Sequence, residues 1–231
     1  MVALFVIMTI LVCVSIDGVV QWRRAKKEHV SRNLADQLVP IAAFTDLAAP
    51  ANLLLDSGHT WVEVQPSGRA VIGLDGFAQK LIGRIDDVVL PEVGKEVSRG
   101  DVLFAVKQDS RRAAFASPID GQVVMVDREL PWHPEMIQSD PYREGWVCAV
   151  KPKNLAKNLK QMVAAEDARQ WLKTEAQRFQ DFFAAQTVDN MQLGQVMQDG
   201  GQLAGGVLEF ADDATWKQFN DMFLRPQDEE H

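Results

Sequence analysis

The chain has 231 residues and a formal net charge of −8, from 24 lysines and arginines against 32 aspartates and glutamates. That acidic balance excludes nucleic acid as an expected partner, since phosphate binding needs a basic face. Hydrophobic residues make up 47% and charged residues 24%, as in a globular rather than a disordered chain, and the two cysteines, Cys13 and Cys148, match no disulfide framework or metal-ligand spacing.

Residues 1–16 form an almost unbroken apolar run, which Val19, Val20 and Trp22 prolong past Asp17 and Gly18. A helix over residues 1–22 would be about 33 Å long at about 1.5 Å per residue, matching a bilayer core of about 30 Å. No positive charge precedes the run and no cleavage site follows it, unlike a signal peptide. A buried core helix so apolar on every face is unusual at a terminus. The sequence therefore predicts a transmembrane anchor over residues 1–22, with Trp22 at the interface. Arg23, Arg24, Lys26 and Lys27 follow directly. The positive-inside rule then predicts a single-pass protein of the inner (cytoplasmic) membrane, N-terminus out, with its soluble domain cytoplasmic. Asp17 is the costly residue of the span. It reaches the interface and the Arg23/Arg24 cluster, or it faces another membrane subunit, which makes it a partner-binding candidate.

Residues 23–52 read as a charged juxtamembrane helix, broken at Pro40, and a mostly apolar connector. From residue 53 to 153 the texture changes to short strands with Gly and Pro at the corners. Trp61-Val62-Glu63-Val64 alternates, Pro66-Ser67-Gly68 turns, and Ala70 to Leu74 pairs back as a hairpin. Val88 to Leu90, Val102 to Val106 and Gln122 to Val126 are further strands. Phe77 to Ile82 is the one helix expected among them. This pattern predicts a small barrel or sandwich.

From Asn154 to residue 231 the period becomes 3.6, and a C-terminal helical extension is expected. Leu155, Leu159, Met162, Val163, Ala168, Trp171, Leu172, Phe179, Phe182 and Phe183 recur at helical spacing over two helices. Gly200-Gly201 and Gly205-Gly206 punctuate a turn-rich stretch that lacks the order of a phosphate cradle. Asp212 or Asp213 caps a last helix carrying Trp216, Phe219, Met222 and Phe223.

Several stretches of the strand-rich region carry a family pattern: Gly58-His59-Thr60-Trp61-Val62, Val71 to Gln79, Leu90-Pro91-Glu92-Val93-Gly94-Lys95, Ser117-Pro118-Ile119-Asp120-Gly121, and Ser139-Asp140-Pro141-Tyr142-Arg143-Glu144-Gly145-Trp146. Together they resemble the glycine cleavage system H-protein family over residues 55–154. The last stretch matches that family's S-D-P-Y-x-x-G-W and is the most specific. The resemblance implies a mainly β barrel-sandwich hybrid, here joined to an N-terminal transmembrane helix and C-terminal α-helices. It also implies a lipoyl carrier, because in the family a lysine at a hairpin tip bears lipoate.

Counted from Gly100-Asp101 and back from Ser117-Pro118, the position of that lysine is Ser110. The family's glutamate three residues earlier is Lys107. A hydroxyl cannot form the lipoyl amide, so no lipoyl attachment site and no cofactor are expected. Lys107 has the right amine but reads as a strand residue without an acidic flank. Arg111 and Arg112 are partner-binding candidates: two guanidiniums at a projecting tip can grip carboxylates, although a solvated turn reads equally well. The four histidines, His29, His59, His133 and His231, share no ligand spacing, so no metal is expected. His59 and Trp61 read as packing residues. The expectation is a non-enzymatic, membrane-anchored adaptor or accessory subunit that reuses the H-protein fold. Its partners would be subunits of a membrane complex, and a redox complex is the host suggested by H-like proteins of anaerobic and respiring bacteria. The alternative is a lipoyl-type carrier of the glycine cleavage system or a related lipoate pathway.

Overall fold

A computed structural model describes residues 16–22, 26, 49–164, 167–187 and 206–225. They fall into two compact units, one holding the described residues of 41–175 and 203–231, the other those of 1–40 and 176–202. In the smaller unit residues 16–22 are helical. No helix among the described residues is long and apolar enough to cross a membrane, and residues 1–15 of the expected span lie outside them.

The larger unit is built on two antiparallel sheets. Its strands are β1 (Leu54–Leu55), β2 (Thr60–Val64), β3 (Ala70–Leu74), β4 (Asp87–Val89), β5 (Glu96–Val97), β6 (Val102–Gln108), β7 (Arg111–Ala116), β8 (Gly121–Val126), β9 (Trp146–Pro152) and β10 (Val163–Ala164). Seven strands pair in the order β10-β1-β2-β3-β9-β8-β5, and the other three in the order β4-β6-β7. The expected β2–β3 hairpin is present, with Glu63 opposite Val71. Trp61, Ile72, Leu74, Phe104 and Phe115 are all buried, and the last two stack at 5.0 Å.

Helix α1 (Gly76–Ile82) starts where Asp75 accepts the Ala78 N–H at 2.9 Å, and it ends at Gly83, whose φ of 75° suits a residue without Cβ. It buries Phe77, Ala78, Leu81 and Ile82. Helices α2 (Glu135–Ser139) and α3 (Leu155–Leu159) are single turns. Helix α4 (Ala168–Thr187) begins in the larger unit and runs into the smaller one, where Phe179 lies 5.8 Å from Phe182 and 5.9 Å from Phe183. Residues Val207–Phe210 form a turn of 3-10 helix, and α5 (Asp213–Phe223) follows, capped by Asp212 on the Thr215 N–H at 2.8 Å.

The C-terminal pattern needs three corrections, the first being that Met162, read as helical, lies in a bend between α3 and β10. Val163, read as helical, lies in strand β10 instead: Val163 and Ala164 pair with Leu55 and Leu54, so a free edge of the sheet overrides the helical period. Met222 is 44% exposed while Trp216, Phe219 and Phe223 are buried, so the apolar stripe of α5 is narrower than its composition suggested.

Candidate functional site

The tip of the β6–β7 hairpin occupies the position at which the sequence pattern is altered. Gln108 pairs with Arg111, leaving Asp109 and Ser110 as a two-residue turn, with Asp109 in the left-handed region at φ 51°. Ser110 is exposed at its apex. The turn is tied down on one side by the α1–β4 loop. The buried Gln108 amide donates to the carbonyls of Ile82 at 3.0 Å and Arg84 at 2.6 Å. The Asp109 N–H donates to Asp86 at 2.7 Å, and Arg84 donates to the Asp109 carboxylate at 3.0 Å.

The other side is tied to the C-terminal segment. Arg111 turns inward: its guanidinium donates to the Glu209 carbonyl at 3.0 Å, pairs with Asp213 at 3.3 Å and lies 5.9 Å from the Trp216 ring centre. Next along the strand, the Asn220 side-chain amide bridges two backbone groups of β7. It accepts the Ala114 N–H at 2.8 Å and donates to the Arg112 carbonyl at 3.1 Å. Arg84 N–H donates to Glu209 at 2.8 Å, and Trp216 donates to the Leu208 carbonyl at 2.8 Å. The segment from Gly206 to Leu224 is thus a clasp along the hairpin's outer edge.

The partner-binding candidates do not act as one group. Arg111 is committed to the clasp, while Arg112 is exposed and has no ion pair among those found in the described residues. Asp17 lies in the smaller unit, on the helical residues 16–22, where it accepts a hydrogen bond from Gln21 at 2.9 Å. The Lys107 amine sits within β6, opposite Asp87, and pairs with its carboxylate at 2.8 Å.

His59, a packing residue by its sequence, is packed between two acids that no local pattern joins to it. Its side chain is fully buried, with Nδ1 at 3.0 Å from Asp75 and Nε2 at 3.5 Å from Glu175. Phe77 stacks on the ring at 4.5 Å, and Trp171 lies at 5.3 Å. Burial opposes the charged imidazole, but Asp75, and then Glu175, outweigh it and raise the pKa to about 9. His59 itself sits at φ 58° in the turn closed by its N–H on the Asp56 carbonyl at 2.9 Å. Asp56 carries the second buried charge pair, with the Arg99 guanidinium, which also donates to the Pro118 carbonyl at 2.7 Å. Cys148 is buried and its thiol is pushed up to about 12 by desolvation, so it is chemically quiet. These residues are structural ties around the barrel and offer no nucleophile at a surface.

A family model and the curated relatives agree on the family. A family model described as Glycine cleavage H-protein matches residues 53–175. The chain is 42% identical over 116 residues to a probable glycine cleavage system H protein of Pyrococcus horikoshii, covering 50% of this chain and 86% of that protein. It is 37% identical over 102 residues to the glycine cleavage system H protein of Aeromonas hydrophila, covering 44% and 79%. The crystal structure of a glycine cleavage system H protein from Mycobacterium marinum aligns at a TM-score of 0.46 with 27% identity, over 52% of this chain and 94% of that one.

Proposed function

The chain belongs to the glycine cleavage H-protein family, and from that membership we propose a non-enzymatic docking protein that uses the family's fold without a lipoyl arm. The single observation that carries this reading is the exposed Ser110 at the apex of the β6–β7 hairpin, where the resemblance places the lipoyl lysine. A serine hydroxyl cannot form the amide. The amine of Lys107, three residues earlier, lies within a strand and pairs with Asp87 rather than standing at the turn. The same hairpin is held on both flanks, by the α1–β4 loop and by the clasp, which suits a fixed surface better than a swinging arm. Intact mass measurement of the native protein, from cells with active lipoate attachment, is expected to give the unmodified chain mass. A lipoyl adduct on Lys107 would sink the reading.

The second reading is a carrier in glycine cleavage, and the names of the relatives favour it over an adaptor role. The same mass measurement separates the two. The adaptor reading also proposes a tether. The apolar residues 1–22 and the cationic cluster after them support insertion in the inner membrane with the larger unit in the cytoplasm, among subunits of a membrane complex. Full-length protein is expected to stay with membranes after carbonate washing, and a form beginning near Ala51 to remain in solution. A membrane-impermeant thiol probe should leave a cysteine placed in the 60s unlabelled in intact cells; labelling would reverse the orientation.

A further inference from the structure

A cleft of about 510 Å³ opens on the seven-stranded sheet, with Trp61, Val71, Met125 and Trp146 among its apolar lining and Asn52, Glu63, Gln65 and Arg143 among its polar lining. Its floor follows from the register. Glu63 pairs with Val71, Val71 with Ala149, and Ala149 with Met125, so these four residues stand side by side on one face of β2, β3, β9 and β8. Val71 is short and lines the middle of the cleft, while Ala149 beside it is fully buried. Trp61 closes one end by lying over Gly73, where a Cβ would meet its ring at 2.6 Å. The wall beside it comes from the Ser139 to Trp146 motif, the most specific stretch of the sequence and one that the hairpin does not use.

The polar groups around the cleft are unequally committed. Trp61 donates its ring N–H to the Pro141 carbonyl at 2.9 Å, and the Tyr142 hydroxyl accepts the Gly76 N–H at 3.1 Å. Glu63 on the rim accepts a hydrogen bond from Asn52. Arg143 is different: it is exposed, it lines the cleft, and its guanidinium has no ion pair or hydrogen bond among those found in the described residues. An apolar and aromatic floor beside one uncommitted guanidinium is complementary to a flat apolar group that carries a carboxylate.

We infer that this cleft binds a compact aromatic carboxylic acid, its ring over Val71 and Met125 against Trp146 and its carboxylate on Arg143. The site is on a different surface from the hairpin tip and does not depend on the docking role. The test uses the full-length chain in detergent, with indole-3-acetate as the probe and tryptamine and acetate as controls, read by the side-chain N–H resonances of Trp61 and Trp146. Indole-3-acetate is expected to shift both resonances saturably, while tryptamine and acetate do not. Arg143→Glu should weaken the association by about tenfold or more, and Met125→Trp, which fills the cleft, should abolish it, both with unchanged thermal midpoints. The inference is overturned if indole-3-acetate gives no saturable shift, if tryptamine binds as well, or if either variant binds at full strength.

Discussion

The side-chain amide of Asn220 stands to Ala114 as a neighbouring β-strand would: its oxygen takes the Ala114 N–H at 2.8 Å while its nitrogen gives a hydrogen to the Arg112 carbonyl at 3.1 Å. One helical residue therefore satisfies two outward backbone groups of an edge strand. Asn220→Ala is expected to destabilise the larger unit by about 1–3 kcal/mol, because two backbone groups under α5 lose their partner. Asn220→Asp should cost a similar amount, since it keeps the acceptor and loses the donor. Chemical denaturation measures both, and a change below about 0.5 kcal/mol for each would show that water replaces the amide freely.

His59 makes stability depend on alkaline pH. Its folded pKa of about 9 lies above the ordinary 6.5, so the stabilisation held by the protonated ring is complete below 6.5 and is lost as pH rises to about 9. The expected loss is a few kcal/mol across that window. His59→Gln should remove most of this slope and lower stability at neutral pH, because Asp75 and Glu175 then face each other without a cation. Urea midpoints taken from pH 6 to 10 for both proteins check the sign.

Arg99 and Asp56 are both largely inaccessible, so neither tolerates losing the other. Arg99→Ala is expected to cost about 3–5 kcal/mol by leaving Asp56 charged and buried. Arg99→Ala with Asp56→Asn should cost less than the two single changes added together. A double-mutant cycle in denaturant gives the coupling directly, and additive costs would mean that the pair is not linked.

Gly73→Ala probes the floor of the aromatic face. Its new methyl would meet the Trp61 ring at 2.6 Å, and Trp61 cannot simply withdraw while bonded to the Pro141 carbonyl. A cost of about 1–3 kcal/mol is expected, with a shifted Trp61 side-chain resonance. The hairpin tip should behave in the opposite way. Ser110→Lys is expected to leave the thermal midpoint within the equivalent of about 0.5 kcal/mol, since the side chain is exposed.

Much of the strand-rich fold was legible in the sequence because β2 alternates and the corners carry Gly and Pro. Strand β9 was not. Val147, Cys148, Ala149 and Val150 are all buried, because this strand lies between β3 and β8 with both faces covered, so it has no period of two to detect. Strand β10 was hidden by its length of two residues inside a helical pattern. The place of Ser110 could be counted from flanking motifs. The commitment of Arg111 could not, since Asp213 lies 102 residues further along and no local signal joins them. Glu175 was invisible for the same reason: a buried acid on a helix reads as one more polar position until a histidine from a distant turn is placed against it.

Covering β7 also determines how copies of this protein can meet. Exposed strand edges are templates for sheet-to-sheet aggregation. Here the outer strands of the larger sheet, β5 and β10, are two residues long, and β4 is three. The one long edge, the six residues of β7, is the one on which Asn220 sits. The clasp thus acts as a guard against self-association, and a protein that has lost it would be expected to precipitate by edge pairing before its barrel unfolds.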